Sequence, residues 1–568
     1  MKNLKAQFKL IICLFIFLNI SNIVLTKNSG KFSNAKDISN YFSGILSTHD
    51  KQFKKSYTHF KSLNNLEDRH YTFSKYYQYS LISLGRIRDA AIYSKKLNEK
   101  KLDDFESNLI RAVYYLKKKD FKNATFYFKK IKNKNQPGTI QNLLSTSLNA
   151  WVNFEDMSDL NSALNLLDKI PDRFKGLKEI QKVFAHCYFK SPKTDAMFER
   201  LTSNPAINYS RYYFFHSNYL VLINNEKKAA KIIKTSRKKY PNNLLLNQLE
   251  SDFKSRKIFN NKFNCQNPED VIAEIFFIVS NSLTEKNNYI SSNLYLNLAK
   301  YLNPNFVSFD VLYAENFFIL KEYDSAKKIF NEMKKKGSDY NWYASKKIAS
   351  ILTQQEKNKD AISSLKKSFK KIINPSIYEI FDYAEFLKNN EMFEDSIKYY
   401  SELLNLIGKK NLLYSQVLDS RGIAYERTGQ WNKAEVDLLS SLNISPDNAY
   451  VINYLAYSWI EQGINIQKSL KMLRKANELR PDDGYIIDSL GWALFKLKKY
   501  KEAKEYLELA VRYMASDPVI NDHYADALWM NNKSLQARYY WSYVLRLEKT
   551  EEVLKKNIEQ KLLFGLKS

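Results

Sequence analysis

Between Asp419 and Lys549, small residues return every 34 or 35 positions. The first set is Gly422, Ala456, Gly491 and Ala525, spaced 34, 35 and 34 apart. Twelve residues later, thirteen in the second unit, come Ala434, Ser469, Ala503 and Ala537. A third set follows at Ser441, Ala476, Ala510 and Val544. Small side chains at fixed offsets let two antiparallel helices approach closely. Pro446 and Pro481 then close two of the units, because proline lacks an N–H and clashes with the preceding helical turn. A helix–turn–helix unit of this length must stack on copies of itself to bury its apolar face. Such a chain builds surfaces rather than a single catalytic pocket.

These offsets resemble the tetratricopeptide repeat (TPR), which has Gly or Ala, then Tyr, Gly, Ala, an aromatic, Ala and Pro. Gly422, Tyr425, Gly429, Ala434, Leu438, Ser441 and Pro446 follow that pattern. Ala456, Trp459, Gly463, one inserted residue, Leu473, Ala476 and Pro481 follow it again. The next two units keep Gly491, Ala503, Leu507 and Ala510, then Ala525, Ala537 and Trp541, with Ala515 and Lys549 in the proline place. Weaker units step by 35 from Ala314 to Ala349 to Ala384, and by 34 from Gly44 to Gln78 to Ala112. Ser217, Ala229 and Pro241 mark another.

The resemblance covers most of the chain after residue 40, strongest over 411–549 and weakest over 136–210 and 242–270. It implies an all-α fold, a right-handed superhelical TPR solenoid of antiparallel helix pairs, with roughly 13–15 pairs. Only 13 Gly and 11 Pro in 568 residues, with no sustained alternation of period two, agree with that. The 40 Tyr and 35 Phe read mainly as filling between repeats. The stretches NYLAYSWIEQG, DDGYIIDSLGWALFKLKKYKEA and DPVINDHYADALWMNNKSLQARYYW, with YFSGILSTHDKQFKKSYTHF near the N-terminus, resemble a proteobacterial exported envelope TPR family. That resemblance implies a class of protein and little chemistry.

Residues 1–26 read as an export signal. Lys2, Lys5 and Lys9 precede the apolar run Leu10–Ile20, which is too short to span a bilayer comfortably. An uncleaved anchor over Leu10–Leu25 is the alternative, and either places the rest of the chain across the membrane, in a periplasm. Cys13 follows Ile12 inside the apolar run, a poor context for lipid attachment. Beyond the signal, only Cys187 and Cys265 remain, 78 residues apart. Solenoid contacts run between neighbouring repeats, so the expectation is two free buried thiols, too distant for a disulfide.

The net charge of +29 is uneven: residues 411–568 carry +2 and residues 1–410 carry +27. Basic runs include Lys117–Lys119, Lys129–Lys134, Lys227–Tyr240 and Lys334–Lys336. One reading is an anionic partner, either a membrane surface or a polysaccharide. The plainer reading, and the favoured one, is a solvated lysine surface. Nucleic acid is disfavoured because lysine dominates arginine and no recognisable nucleic-acid module is present.

The TPR resemblance also implies a groove lined by the first helix of each pair. Placed on this sequence, one row is Asp419, Asn453, Asp488 and Asp522. Flanking it are Tyr450, Tyr485, Tyr457, Trp492, Asp526 and Trp529. The functional reading is a groove for a peptide or glycan, with aromatic faces giving area and carboxylates accepting from basic groups or hydroxyls. The plain reading is that early-helix Asp complements the helix N-terminus and the aromatics pack between repeats. Lys/Arg clamps for C-terminal carboxylates are not matched, since these positions are mostly acidic.

No phosphate loop, HExxH or GxSxG motif occurs, and no histidine sits at metal-ligand spacing. His186 and Cys187 are adjacent and face different ways on a helix. Asn521–Asp526 (NDHYAD) is the most metal-like cluster, yet it reads as helix start plus groove, with Asp517 as cap and Pro518 in the first turn. No cofactor, metal or catalytic residue is implied. The domains expected are a signal or anchor at 1–26, a divergent basic array at 27–410, regular repeats at 411–549 and a capping helix at 550–568. The boundary lies near Gly408–Asn411, where the repeat step lengthens to 38. The function expected is a non-enzymatic scaffold or adaptor of the bacterial envelope binding other proteins or peptides, with a glycan- or polyanion-binding module as the alternative.

Overall fold

The computed structural model describes residues 35–566, except 64, 65, 69, 132–138, 158, 204–207 and 256–260. The expected export signal lies outside the described residues. Among the described residues there are 30 α-helices and no strand. They form an all-α solenoid of antiparallel pairs.

The periodic small residues are what bring each pair together. Ala434, Ser441, Ala456, Ser469, Ala476, Ala503, Ala510, Ala525, Ala537 and Val544 are all fully buried. A Cβ placed on Gly491 would come within 2.6 Å of Leu507 Cγ, so only glycine allows that crossing of the helices Gly484–Lys496 and Tyr500–Tyr513. The inserted residue of the second unit is absorbed in the turn, where both Gly463 (φ 70°) and Asn465 (φ 51°) are left-handed. Proline proves dispensable for helix ending. Trp431–Ile444 and Ile466–Leu479 stop two residues before Pro446 and Pro481, and Tyr500–Tyr513 stops at the same register without one.

The chain divides into two compact units, Met1–Ile329 and Phe330–Ser568. In the second, the core running from Trp342 and Ala349 through Tyr400 and Ile407 takes in Leu413 and Val417. Residues 330–410 therefore pack continuously with the regular repeats, across the longer step at Gly408–Asn411.

The first unit departs from a nearest-neighbour solenoid. The helices Pro268–Glu285 and Tyr289–Leu302 turn back onto earlier first helices of pairs: Pro268–Glu285 onto Ile140–Asn153, and Tyr289–Leu302 onto Tyr71–Ser83 and Phe105–Lys117. Six consecutive residues, Val271–Phe276, are buried, so that helix is enclosed on all sides. Lys117 Nζ donates to the Leu302 carbonyl at 2.7 Å, and Lys119 pairs with Glu269 at 3.0 Å. Part of the basic excess thus serves internal contacts.

This fold-back overturns the expectation of two free thiols. Cys187, near the end of Lys175–Tyr188, and Cys265, just before Pro268–Glu285, are disulfide-bonded with Cα atoms 5.9 Å apart. The neighbour-only rule fails because the returning segment crosses several repeats. Phe263 packs beside the bond against Phe184 and Phe215, at centroid distances of 5.2 and 4.3 Å.

Candidate functional site

The first helices that carry the expected groove residues are Tyr414–Arg427, Ala449–Glu461, Gly484–Lys496 and Pro518–Met530. Three of them begin with a side-chain cap. Asn448 accepts from Val451 N, Asp483 from Tyr485 N and Ile486 N, and Asp517 from Val519 N and Ile520 N. The caps fix the start of each helix and thereby the register of the row that follows.

The ten expected residues fall into two groups. Asp419, Tyr450, Asn453 and Tyr485 line one open cavity of about 420 Å³, together with Ile423, Leu438, Asn448, Val451, Tyr454, Asp483 and Ile486. The Tyr450 and Tyr485 rings stand 56% and 54% exposed, so over half of each is available to a ligand. Asp419 Oδ2 accepts from Asn448 Nδ2 at 3.3 Å, the Ser441 hydroxyl lies against the same carboxyl, and Asn453 Oδ1 is buried without a hydrogen-bond partner. Burial pushes the Asp419 carboxyl up to about 6; the Ser441 hydroxyl and Lys388 draw it only partly back, and Glu385 adds to the rise.

The other six are engaged by the chain itself. Asp488 is buried and pairs with His523. Trp492 is buried, stacks on the His523 ring at 3.9 Å and donates through Nε1 to Glu461 at 2.6 Å. Tyr457 packs against the core, where burial raises its phenol. Asp522 and Asp526 both receive Lys561 Nζ, from the terminal helix Glu552–Phe564, at 2.8–2.9 Å. Trp529 packs on Trp541 at 5.4 Å and is closed off by Gly565, where a Cβ would overlap the indole. The row is thus open over its first half and occupied over its second.

Asn448 and Asp483 also line the cavity, although the repeat register did not single them out. A signal for them was present: Pro446-Asp447-Asn448 and Pro481-Asp482-Asp483 occupy equivalent turns and end in capping residues. Among the described residues, no group of three His, Cys, Asp or Glu side chains could hold a metal ion, and no helix is long and apolar enough to cross a membrane. Cys187 is used by the disulfide, and His186 Nδ1 pairs with Ser191 Oγ at 3.0 Å.

Stacked helical hairpins with small residues at their crossings define a helical-repeat protein. Residues 320–550 match the family model of the tetratricopeptide repeat, and this part of the chain is an array of such repeats. A TPR repeat-containing protein of Pseudomonas aeruginosa is 29% identical over 136 residues, 23% of this chain and 21% of that one. The match therefore spans about a fifth of that relative's length. Among solved structures, a tetratricopeptide repeat protein from Parabacteroides merdae aligns with 15% identity and a TM-score of 0.34, covering 50% of this chain and 97% of that one. The Cut9–Hcn1 assembly aligns with 13% identity and a TM-score of 0.37, covering 94% of this chain and 97% of that one.

Proposed function

We propose that this chain is a non-enzymatic scaffold or adaptor of the bacterial cell envelope that binds other proteins through the open part of its C-terminal groove. One observation carries the reading: a cavity of about 420 Å³ flanked by two half-exposed tyrosines and lined by the carboxylates of Asp419 and Asp483. Aromatic faces beside polar groups are the usual makings of a protein contact. Export to an oxidising compartment is supported by the buried Cys187–Cys265 disulfide, a bond rare in reducing cytosol. The test is crosslinking and pull-down from intact cells, comparing wild type with a Tyr450→Ala/Tyr485→Ala variant. A defined partner recovered only by wild type supports the groove; equal recovery removes it as the site.

A second reading has its own observation. On the helix Glu226–Lys239, Lys227, Lys231, Lys234 and Lys238 are exposed at helical spacing on one face, forming a cationic stripe. It suits an anionic membrane or polysaccharide. Retention on anionic vesicles that is lost at high salt, and lost on changing the four lysines to Gln, would favour this reading.

A further inference from the structure

We propose that the open cavity receives the cationic end of a lysine or arginine side chain, delivered by an extended peptide lying along the groove. The inference rests on the groove reading above and names its occupant. No Lys or Arg lines the cavity, whereas Asp419, Asn453 and Asp483 all present oxygen acceptors. Asp419 Oδ2 accepts from Asn448 Nδ2 at a long 3.3 Å and the Asp483 carboxylate lines the same cavity, so the lining carries negative charge with no cation of its own to meet it.

The nearby cation is already in use. Lys388 Nζ contacts both Glu385 oxygens at 3.0–3.1 Å and Ser420 Oγ at 3.1 Å. Burial leaves the Asp419 carboxyl raised in spite of it, and a second cation in the cavity restores the ionised form.

The walls suit the stem of such a side chain. Ile423 gives an apolar surface, and the exposed Tyr450 and Tyr485 rings can cover methylenes or stack on a guanidinium. Arg480 already stacks over the Tyr450 ring at 5.8 Å. The chain also shows the pairing within itself. In the last repeat, the equivalent carboxylate Asp522, with Asp526, holds the ammonium of Lys561. The cavity draws on three successive first helices, which favours a segment running along the groove over an isolated small cation.

The test is selection of random 12-residue displayed peptides on the full chain, followed by affinity measurement on synthetic copies. The inference expects one fixed Lys or Arg among the selected peptides. Norleucine at that position, Asp419→Asn and Asn453→Leu should each weaken binding at least tenfold. Unchanged circular dichroism and a melting temperature no lower than wild type confirm that the variants are folded. Groove-binding peptides without a shared basic residue, or with one that tolerates norleucine or Asp419→Asn, overturn the inference and leave the scaffold reading standing. No peptide sensitive to Tyr450→Ala/Tyr485→Ala overturns both.

Discussion

His523 Nδ1 lies 3.0 Å from both carboxylate oxygens of Asp488, one repeat upstream. Burial pushes the imidazolium down, but the charge of Asp488, its hydrogen bond, and the charges of Asp522 and Asp526 outweigh it, and the His523 pKa is raised. A raised histidine pKa contributes stability that is complete below about 6.5 and lost as pH rises through the folded value. Asp488→Asn should therefore cost about 2–4 kcal/mol near pH 6 and less near pH 9. Thermal melts across that range measure the gap, and a gap that widens with pH would contradict the pairing.

Lys561 is the only cation hydrogen-bonded to Asp522 and Asp526 among the described residues. Burial, then the Asp522 charge, push Asp526 up to about 6 even with Lys561 present. Lys561→Met leaves two neighbouring carboxylates that protons can neutralise at pH 5 but not at pH 8. We expect a loss of about 3 kcal/mol at pH 8 and a smaller one at pH 5. Hydrogen exchange of the helix Glu552–Phe564 should report it directly, with Asp526→Leu partly restoring protection.

In the first unit, Arg211 donates from Nε and one Nη to the two oxygens of the fully buried Glu274, each at 2.7 Å. Its guanidinium also lies 3.9 Å from the Phe277 ring centroid. Arg211→Met should cost about 3–5 kcal/mol, because it strands a buried carboxylate, while Arg211→Met with Glu274→Leu should recover most of that. Denaturant melts of the four proteins of this cycle decide it.

The Cys187–Cys265 bond closes a 78-residue separation. The chain-entropy estimate for a loop of that size is about 4.5 kcal/mol, an upper figure for what reduction removes. Dithiothreitol should lower the melting temperature of the first unit and leave that of the second unchanged. In the unreduced protein neither cysteine should react with alkylating reagents.

Asp419 is the counter-case, a residue whose removal should help the fold. Its carboxyl is raised to about 6, so the folded state takes up a proton and wild-type stability falls as pH climbs from about 4 to about 6. Asp419→Asn should be more stable than wild type by on the order of 1–2 kcal/mol at pH 7.5, with little difference at pH 4. A residue that weakens its own fold fits a binding position, where function rather than stability sets the side chain.

Helix pairing was legible in the sequence because it depends on local size at fixed offsets. Gly422, Ala456, Gly491 and Ala525 mark the crossings by their spacing alone, and all are buried. The row of Asp419, Asn453, Asp488 and Asp522 was legible as a register and not as a surface. Whether a carboxylate is free depends on what the next helix brings to it. His523 and Lys561 lie 35 and 39 residues further along, and nothing in the local pattern marks them as partners. A variant with Asp488, Trp492, Asp522 and Trp529 all changed to Ala would therefore probe stability more than binding, because three of those side chains are buried contacts or ion pairs. The fold-back of Pro268–Leu302 was illegible for the same reason, since the helices it packs on lie far earlier in the chain and nothing in the local pattern marks them as partners.

The returning helices of the first unit change how that unit comes apart. Lys117 meets the carbonyl of Leu302 across 185 residues of chain, and Tyr313 reaches the carbonyl of Ser83 across 230. An open array of repeats can fray from an end, each unit lost at the expense of one interface. Here Tyr289–Leu302 cannot leave without uncovering Tyr71–Ser83 and Phe105–Lys117, so the unit is expected to unfold in one cooperative step. Slow folding is expected of it too, since such distant segments must meet before either is stable.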